Sequence, residues 1–282
     1  MIMENKNNTY SIGAVASLLN LSTDTIRHYE KRGLITPAKL ENGYRSYTDE
    51  DLFNLLFILY FRKMDIGLNH IMDFLKEQRT SEKIENVLES RIREEEENIL
   101  RHQQNITRIR LSIHQNKKLQ KYQQGFSIQP FPKAYIISEQ TSAREMLFQW
   151  FRYAQQTPGL DMAYIYNEYS FPDSGSRPVP QNSRLLLYEE TAPAIPEAFQ
   201  VTAYPLTSEM LCVCHICTCS SSHCPPQELL VQMKEWAKRQ GYRTADSFHT
   251  TVLYGQQEDR NQKRDLEIYL PIRNSDPEQS HC

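Results

Sequence analysis

Residues 81–121 contain neither glycine nor proline, so nothing in this stretch interrupts a helix. Isoleucine recurs there at seven-residue intervals, and the companion position of the heptad is also partly apolar. The seam consists of Leu88, Ile92, Ile99, Ile106, Ile109 and Ile113. A long helix cannot bury such a seam alone, so the pattern predicts a coiled coil with a second copy of the chain. The alternative is a bundle helix packed inside its own chain.

The composition is that of a soluble protein with a buried core. Hydrophobic residues make up 39% and charged residues 24% of the 282 residues, a length that favours more than one domain. The longest apolar run, residues 55–61, is too short to span a bilayer, and the N-terminus lacks a stretch of signal-peptide type. We therefore expect a cytoplasmic protein without a membrane partner.

Charge is unevenly distributed along the chain. The net charge is −3, yet between residues 27 and 45 five basic side chains stand against only two acidic ones. A local basic patch of this kind suits the phosphates of nucleic acid. The acidic total therefore does not exclude a DNA-binding segment near the N-terminus.

Residues 10–75 have the pattern of a compact helical unit with one hairpin. Ser22 is placed to cap the second helix. Asn42-Gly43 is a hairpin-turn signal, and the residues after it alternate like a short strand. Thr48, with an acidic residue three positions later, predicts a capped third helix, and Asn69 predicts the cap of a fourth. This order of elements is typical of a winged helix-turn-helix.

The remainder, residues 126–273, alternates strand and helix signals. Alternating apolar residues predict strands over Ala163–Phe171, Phe199–Tyr204 and Leu211–Cys217, among others. Such an order predicts an α+β fold with an antiparallel sheet, and the chain is therefore expected to be multidomain. The predicted divisions are 1–76 for the winged helix-turn-helix, 77–124 for the coiled-coil helix, 125–274 for the α+β domain and 275–282 for a polar tail.

Three segments of the N-terminal unit together resemble the DNA-binding domain of the MerR family of transcription regulators. They are Tyr10–Ala16, Ser22–Ile35 and Asn42–Tyr47. The resemblance implies a homodimer, joined by an antiparallel coiled coil, that binds the spacer of a double-stranded promoter. It further implies that an effector makes the dimer bend and untwist this DNA, which realigns the promoter for RNA polymerase.

In a helix-turn-helix the second helix enters the major groove, and here it carries Arg27, which can read a guanine edge or clamp a phosphate. Tyr29 either offers its hydroxyl to a phosphate or packs inside the unit. Tyr44 and Arg45 follow the hairpin turn, where a wing reaches the backbone beside the groove. The predicted DNA contacts are Thr23, Arg27, His28, Tyr29, Lys31, Tyr44, Arg45 and Tyr47.

The α+β domain resembles the GyrI-like effector-binding domain of multidrug-sensing regulators. The basis is two strand–helix–strand halves and the closing strand Asp265–Ile272. The resemblance implies a pocket for flat, often cationic compounds, with aromatic walls and a carboxylate for the countercharge. Glu267 is the first candidate for that carboxylate and Glu168 the second. The predicted effector-binding residues are Trp150, Tyr164, Tyr166, Glu168, Tyr188, Tyr254, Glu267 and Tyr269.

A cluster of cysteines leaves another interpretation open. Cys212, Cys214, Cys217, Cys219 and Cys224 are dense enough to bind a soft metal or to act as a thiol sensor. On an unbroken strand, however, the first two face one way and the next two the other, which favours buried free thiols. A GyrI-like hydrolase is a further alternative, but no nucleophile–base spacing supports catalysis. We expect no enzyme activity, no cofactor and no metal.

Overall fold

The computed structural model describes residues 9–75, 81–122, 125–171, 177–219, 224–253 and 264–273. The chain divides into two compact units, Met1–Asn98 and Ile99–Cys282, and the boundary falls inside the long helix. Within the described ranges, no helix is both long and apolar enough to cross a membrane. The predicted polar tail, 275–282, lies outside the described residues.

The first unit is a set of short helices with a small sheet. The helices are α1 (Ile12–Leu19), α2 (Thr23–Lys31), α3 (Asp49–Arg62) and α4 (Leu68–Leu75), and the strands are β1 (Thr9–Tyr10), β2 (Ala38–Lys39) and β3 (Arg45–Thr48). The strands lie in the order β1-β3-β2 and pair antiparallel. The two-strand wing β2–β3 therefore follows the helix pair α1–α2, as the sequence predicts.

Local capping signals fix where these helices begin. Ser22 is the N-cap of α2, and its hydroxyl accepts a hydrogen bond from the Thr25 amide. Thr48 and Asp51 form a reciprocal capping box at the start of α3, which confirms the predicted cap. The prediction for Asn69 is wrong, because α4 already begins at Leu68. The Asn69 side chain instead accepts a hydrogen bond from Arg32.

The apolar residues of the first unit meet in one core. Val15, Ile26, Leu55, Ile58 and Ile71 are fully buried, so each of the four helices contributes to the same cluster. This packing fixes the orientation of α2, because Ile26 anchors its inner face. The opposite face of α2 is left to solvent.

The long helix α5 (Ser81–Tyr122) is continuous over 42 residues. The isoleucines of its predicted seam are between 49% and 59% exposed in the single chain. Leu88 differs from them, because it is half-buried and packs against the core of the first unit. An exposed row of isoleucines on one helix face is what an unpaired dimerisation seam presents to solvent.

The second unit is built on an antiparallel sheet with two helices of its own. The sheet order is β4-β8-β11-β10-β6-β7-β5, and β9 pairs with β11 at one end. The elements are β4 (Ser127–Pro130), β5 (Ala134–Gln140), α6 (Ala143–Gln156), β6 (Tyr164–Ser170), β7 (Val179–Tyr188), β8 (Leu211–Cys219), α7 (Gln227–Arg239), β9 (Arg243–Thr244), β10 (Ser247–Leu253) and β11 (Arg264–Arg273). This confirms the predicted fold class of a helical N-terminal domain, a long helix and an antiparallel α+β domain.

One predicted strand is wrong. The segment Phe199–Tyr204 forms parts of two short 3-10 helices, Glu197–Phe199 and Val201–Ala203. Gln200 between them has a positive φ of 50°, which breaks an extended strand. The apolar side chains that suggested a strand pack differently, because the rings of Phe199 and Tyr204 stack with their centroids 5.4 Å apart.

The two faces of the sheet carry separate apolar clusters. One face packs against α6 and against Leu111 in the C-terminal half of α5. The other face packs against α7 through Leu230, Met233 and Ala237. The last turns of α5 therefore lie over one face of the sheet, and the cavity described below is found there.

Candidate DNA-binding surface and effector cavity

The solvent face of α2 is basic. Arg27, His28 and Lys31 are exposed, whereas Thr23 is only half-exposed. Arg27 pairs with Asp24 at 3.2 Å, but both side chains are more than half exposed, so water weakens this contact. Arg27 is therefore free to exchange this partner for a phosphate or a base edge.

The wing presents a second exposed edge. The Asn42 side chain accepts a hydrogen bond from the Tyr44 amide, and Gly43 at the tip has a φ of 81° that favours glycine. Tyr44 is 73% exposed at the end of this turn. Its aromatic side chain and hydroxyl are consequently available to a nucleic-acid backbone.

Glu30 links α2 to the wing. One carboxylate oxygen accepts a hydrogen bond from Nε of Arg45, and the other accepts one from the hydroxyl of Tyr47. The Glu30 side chain is 11% exposed, so solvent competes weakly for these contacts. Burial, followed by the neighbouring Glu30 carboxylate, raises the pKa of Tyr47. The sequence interpretation missed Glu30, whose partner residues lie up to 17 positions away.

Two predicted DNA contacts need correction. Tyr29 is 7% exposed and Tyr47 is fully buried, and both belong to the core of the first unit. Side chains with so little exposed surface offer almost nothing to a phosphate. The sequence left both packing and contact open for Tyr29, and the structure favours packing for both tyrosines.

The second unit contains a cavity of about 390 Å³ beneath the end of α5. Side chains from α5, from the edge strand β4, from the end of β7 and from the central strands β8 and β11 converge on it. The lining includes His114, Lys118, Tyr122, Gln129, Lys133, Tyr188, Glu189, Glu190, Cys214, His215, Glu267 and Tyr269. The sequence placed the residues of 77–124 in a dimerisation helix only, so the contribution of α5 was missed.

A buried ion pair lies in this cavity. The Lys118 ammonium group donates to both carboxylate oxygens of Glu267, at 2.9 and 3.2 Å, and to the Tyr269 hydroxyl at 3.2 Å. The Glu267 side chain is 5% exposed and the Lys118 side chain 19% exposed. A carboxylate this deep needs a cationic partner, and the long helix supplies it.

Tyrosines form a connected wall beside the ion pair. Tyr188 stacks on Tyr164 with ring centroids 4.9 Å apart, and its hydroxyl lies 2.9 Å from that of Tyr166. Gln115 of α5 donates a hydrogen bond to the Tyr164 hydroxyl. Burial, reinforced by neighbouring acidic groups, raises the pKa of Tyr166, Tyr188 and Tyr269 well above the usual value for tyrosine. These hydroxyls therefore stay protonated at physiological pH.

The structure brings some of the predicted effector residues together and separates others. Tyr188, Glu267 and Tyr269 line the cavity, and Tyr164 and Tyr166 support Tyr188 from behind.

Trp150 and Glu168 are not among the described residues that line the cavity. The Trp150 indole donates to the carbonyl of Ala163, and Glu168 lies 3.8 Å from Arg184. These two predicted effector contacts are therefore corrected, because their polar groups serve contacts elsewhere in the unit. Tyr254 lies outside the described residues.

Two comparisons with known proteins decide the family. A family model described as MerR HTH family regulatory protein matches residues 10–78. The HTH-type transcriptional regulator ZntR of Escherichia coli strain K12 is 32% identical over 96 residues, which cover 32% of this chain and 68% of that protein. The chain belongs to the MerR family.

Other matches cover different shares of this MerR-family chain. A ZntR homolog of Haemophilus influenzae is 41% identical over 88 residues, which cover 29% of this chain and 65% of the relative, just under two thirds of its length. A cryo-EM structure of an EcmrR–DNA complex covers 94% of this chain and 100% of that chain, at 15% identity and a TM-score of 0.36. Both ZntR proteins are named as transcriptional regulators rather than as enzymes.

Besides the isoleucine seam, α5 carries a second row of side chains, here called the second stripe, that contacts the α+β unit and contributes to the cavity of this MerR-family chain. Arg108 pairs with Asp161 through two contacts of 2.7 and 2.8 Å, and Gln104 donates to the carbonyl of Ala194. The stripe follows a spacing of four and three residues, as a heptad does, but it is mostly polar. It consists of Gln104, Arg108, Leu111, Gln115, Lys118 and Tyr122. Because most of these side chains are polar, hydrophobic periodicity does not distinguish the stripe from an ordinary solvent-exposed helix face.

The cysteines divide between the two faces of the sheet, as the strand argument predicts. Cys212 and Cys214 belong to the cluster on the α5 and α6 side, whereas Cys217 packs on the α7 side. Burial raises the pKa of Cys212 to about 12 and raises that of Cys214 further. Within the described residues, no group of three or more ligand-type side chains is arranged to hold a metal.

Proposed function

We propose that this protein is a ligand-responsive transcription regulator that binds double-stranded promoter DNA as a homodimer. One observation carries the proposal: α5 bears both the exposed isoleucine seam and the lysine that reaches the buried carboxylate of the cavity. One helix therefore connects the surface that would pair two chains with the site that would hold a small molecule. The ZntR relatives, named as HTH-type transcriptional regulators, support the regulatory role.

The DNA-binding surface consists of α2 and the wing. Arg27, His28 and Lys31 enter the major groove, where arginine reads guanine or clamps a phosphate. Tyr44 and Arg45 contact the backbone beside the groove. The Glu30 contacts to Arg45 and Tyr47 hold the wing at a fixed angle to α2, so both elements dock as one rigid surface.

The dimer forms along the isoleucine seam of α5. Ile99, Ile106 and Ile113 are about half exposed in the single chain, and an antiparallel partner helix would cover them. Pairing sets the distance between two copies of α2, which fixes the spacing of the two half-sites on the promoter.

The effector is a small aromatic compound, and a cationic one fits the charge of the site. The wall of Tyr188 and Tyr269 offers aromatic faces, and Glu267 offers a buried countercharge. Effector binding favours a dimer that bends and untwists the promoter spacer for RNA polymerase. This response requires that the effector bind the two states of the dimer with different affinities.

The test is a footprint combined with a transcription assay on the DNA upstream of the protein's own gene. A panel of lipophilic cations, including tetraphenylphosphonium, is compared with no addition. Protection of a promoter spacer, with transcription raised by a cation that does not displace the protein, supports the proposal. Protection without any response retains the DNA-binding role and removes the cationic effector. Absence of protection overturns the proposal.

A matched pair of variants controls for non-specific charge. Lys31→Ala removes a basic side chain from α2, whereas Lys83→Ala removes one from the exposed start of α5. We expect Lys31→Ala to weaken binding and to lower the slope of log K against log salt by about 1, as for one lost phosphate contact. Lys83→Ala should leave both the affinity and the slope unchanged. An equal loss of affinity in the two variants would contradict the assignment of α2 as the DNA-binding helix.

A further inference from the structure

We propose that Lys118 occupies the cation subsite of the effector cavity, so that a cationic effector binds by displacing Lys118 from Glu267. The inference rests on the proposed function and adds a specificity-determining residue to it. It also identifies the step by which binding of an effector in the cavity changes a contact made by α5. The observations that carry it are the burial of Glu267, the geometry of the ion pair and the position of Lys118 on α5.

Glu267 is held in place and cannot follow a partner that leaves. It lies on β11 between β8 and β10, where it pairs in register with Ile216 on one side and Thr251 on the other. Its side chain is 5% exposed, so its charge requires a cation at short range whatever the state of the cavity. Any process that removes Lys118 must therefore supply another cation, or a proton that neutralises the carboxylate.

Lys118 is the mobile member of the pair. Its side chain is already 19% exposed, and a flexible stem of four methylene groups can carry the ammonium group from the cavity to water. A compact ammonium ion is also strongly hydrated, so it loses little when it returns to solvent. The other lysine in the lining, Lys133, pairs with Glu189 at 3.0 Å and is held at the cavity rim.

The exchange conserves the buried charge. One cation leaves Glu267 and another arrives, so the carboxylate is never left unpaired. A neutral ligand that displaced Lys118 would leave the carboxylate without a partner, and an anionic one would add repulsion. The Lys118 ammonium lies 3.2 Å from the Tyr269 hydroxyl oxygen and 5.9 Å from the ring centroid, so an incoming cation meets the same hydroxyl oxygen beside the edge of the ring.

Displacement of Lys118 removes one of the contacts that hold the end of α5 on the sheet. The hydrogen bond from Gln115 to the Tyr164 hydroxyl lies one turn earlier on the same stripe of α5. The ion pair between Arg108 and Asp161 lies further towards the start of the helix. These two contacts remain when the ammonium group leaves. Gln129 of β4 also donates to the Tyr122 hydroxyl at 3.1 Å, so the last residue of α5 stays attached to the sheet. The segment of α5 around Lys118, between Gln115 and Tyr122, is therefore the part that responds to the effector, and the same helix carries the isoleucine seam.

The test measures equilibrium binding of two probes to the full-length protein without DNA. Tetraphenylphosphonium is the lipophilic cation and triphenylphosphine oxide is the neutral aromatic analogue. Lys118→Met keeps the aliphatic stem and removes the charge, and Lys117→Met makes the same change at an exposed neighbouring position outside the lining. If Lys118 fills the subsite about nine-tenths of the time, its removal strengthens cation binding about tenfold.

The expected result is tighter binding of the cation by Lys118→Met, no gain for the neutral analogue, and wild-type affinities for Lys117→Met. Equal shifts for both probes, unchanged or weaker cation binding by Lys118→Met, or no cation binding by either protein would overturn the proposal. Because Lys118→Met leaves Glu267 unpaired, its folding is checked by thermal denaturation.

A second pair of variants keeps the test decisive if that protein is unstable. Lys118→Arg retains the internal cation and should keep the weak binding of wild type. Lys118→Met combined with Glu267→Gln removes both charges and should bind the two probes without preference for the cation. A persisting cation preference in the double variant would overturn the role of Glu267. No DNA is present in this binding experiment. A negative result for ligand binding therefore does not affect the footprint, and a negative footprint does not affect the ligand-binding result.

Discussion

Arg108 in α5 and Asp161 in the turn after α6 form a bidentate ion pair, with Nε–Oδ2 and Nη2–Oδ1 distances of 2.7 and 2.8 Å. The pair joins the long helix to the α+β unit at a point two turns before the cavity. The hydrogen bond from Arg108 lowers the pKa of Asp161 below its usual value of 3.8. The ionised carboxylate is therefore more favourable in the folded protein than in the unfolded chain.

This linkage predicts a pH-dependent contribution to stability. A lowered folded pKa gives stability that is fully present above the usual value of 3.8 and is lost as the pH falls through the folded pKa. Both side chains are 37% exposed, so screening limits the loss in Asp161→Asn to about 0.5–1 kcal/mol near neutral pH. The free energy of unfolding of Asp161→Asn, measured by urea denaturation, should become equal to that of the wild-type protein in strong acid.

The control for this prediction is Glu235→Gln in α7. Glu235 pairs with Arg239 at 3.4 Å on an exposed helix face, where both side chains are more than half exposed. We expect this substitution to change the free energy of unfolding by less than about 0.5 kcal/mol. A difference between Asp161→Asn and wild type that persists at the lowest pH would contradict the electrostatic explanation.

The contact between Tyr47 and Glu30 predicts the effect of removing one hydroxyl. Tyr47→Phe leaves the ring in its buried site but takes a donor from a carboxylate that is only 11% exposed. We expect a loss of about 1–2 kcal/mol in the free energy of unfolding, together with weaker promoter binding because the wing is less firmly held. Tyr44→Phe removes a hydroxyl from a side chain that is 73% exposed and should leave stability unchanged. A larger loss of stability in Tyr44→Phe than in Tyr47→Phe would contradict the stabilising role of the hydrogen bond from Tyr47 to Glu30.

Signals that depend on a few neighbouring residues were accessible from the sequence. The cap at Ser22 and the capping box at Thr48 involve side chains and amides within three residues, so spacing alone determines them. The isoleucine seam of α5 is likewise visible from the seven-residue spacing within one helix, without knowledge of the tertiary structure. A tyrosine, by contrast, has the same side chain whether it contacts DNA or fills a core, so the burial of Tyr29 and Tyr47 could not be derived from composition.

The cavity depends on contacts that are distant in sequence. Lys118 and Glu267 are 149 residues apart, and nothing near either residue indicates the other. The stripe that carries Lys118 has heptad spacing but polar side chains, so hydrophobic periodicity does not reveal it. Tyr188, Glu267 and Tyr269 were predicted because aromatic walls and a carboxylate suit the expected ligand. Their shared cationic partner depends on how α5 packs on the sheet.

The exposed seam of α5 predicts the behaviour of a charged substitution. Ile106→Asp places a carboxylate at the centre of the row of half-exposed isoleucines, where a partner helix would desolvate it. We expect a monomer in sedimentation velocity experiments and loss of the promoter footprint. Ser90→Asp adds the same charge at an exposed position on the opposite face of α5 and should remain dimeric. A monomeric wild-type protein, or a dimer that survives Ile106→Asp, would contradict the assignment of the seam.

The burial of the cysteines predicts low thiol reactivity. Burial raises the pKa of Cys212 to about 12, and Cys214 beside it is 3% exposed. A thiol with this pKa has about one part in ten thousand as thiolate at pH 8, and the thiolate is the form that reacts with reagents and binds metal. We expect Cys212→Ser and Cys214→Ser to leave unchanged the number of thiols labelled in the native protein by a disulfide reagent. Stoichiometric zinc in the purified reduced protein, lost in Cys214→Ser, would instead establish the metal-sensor alternative.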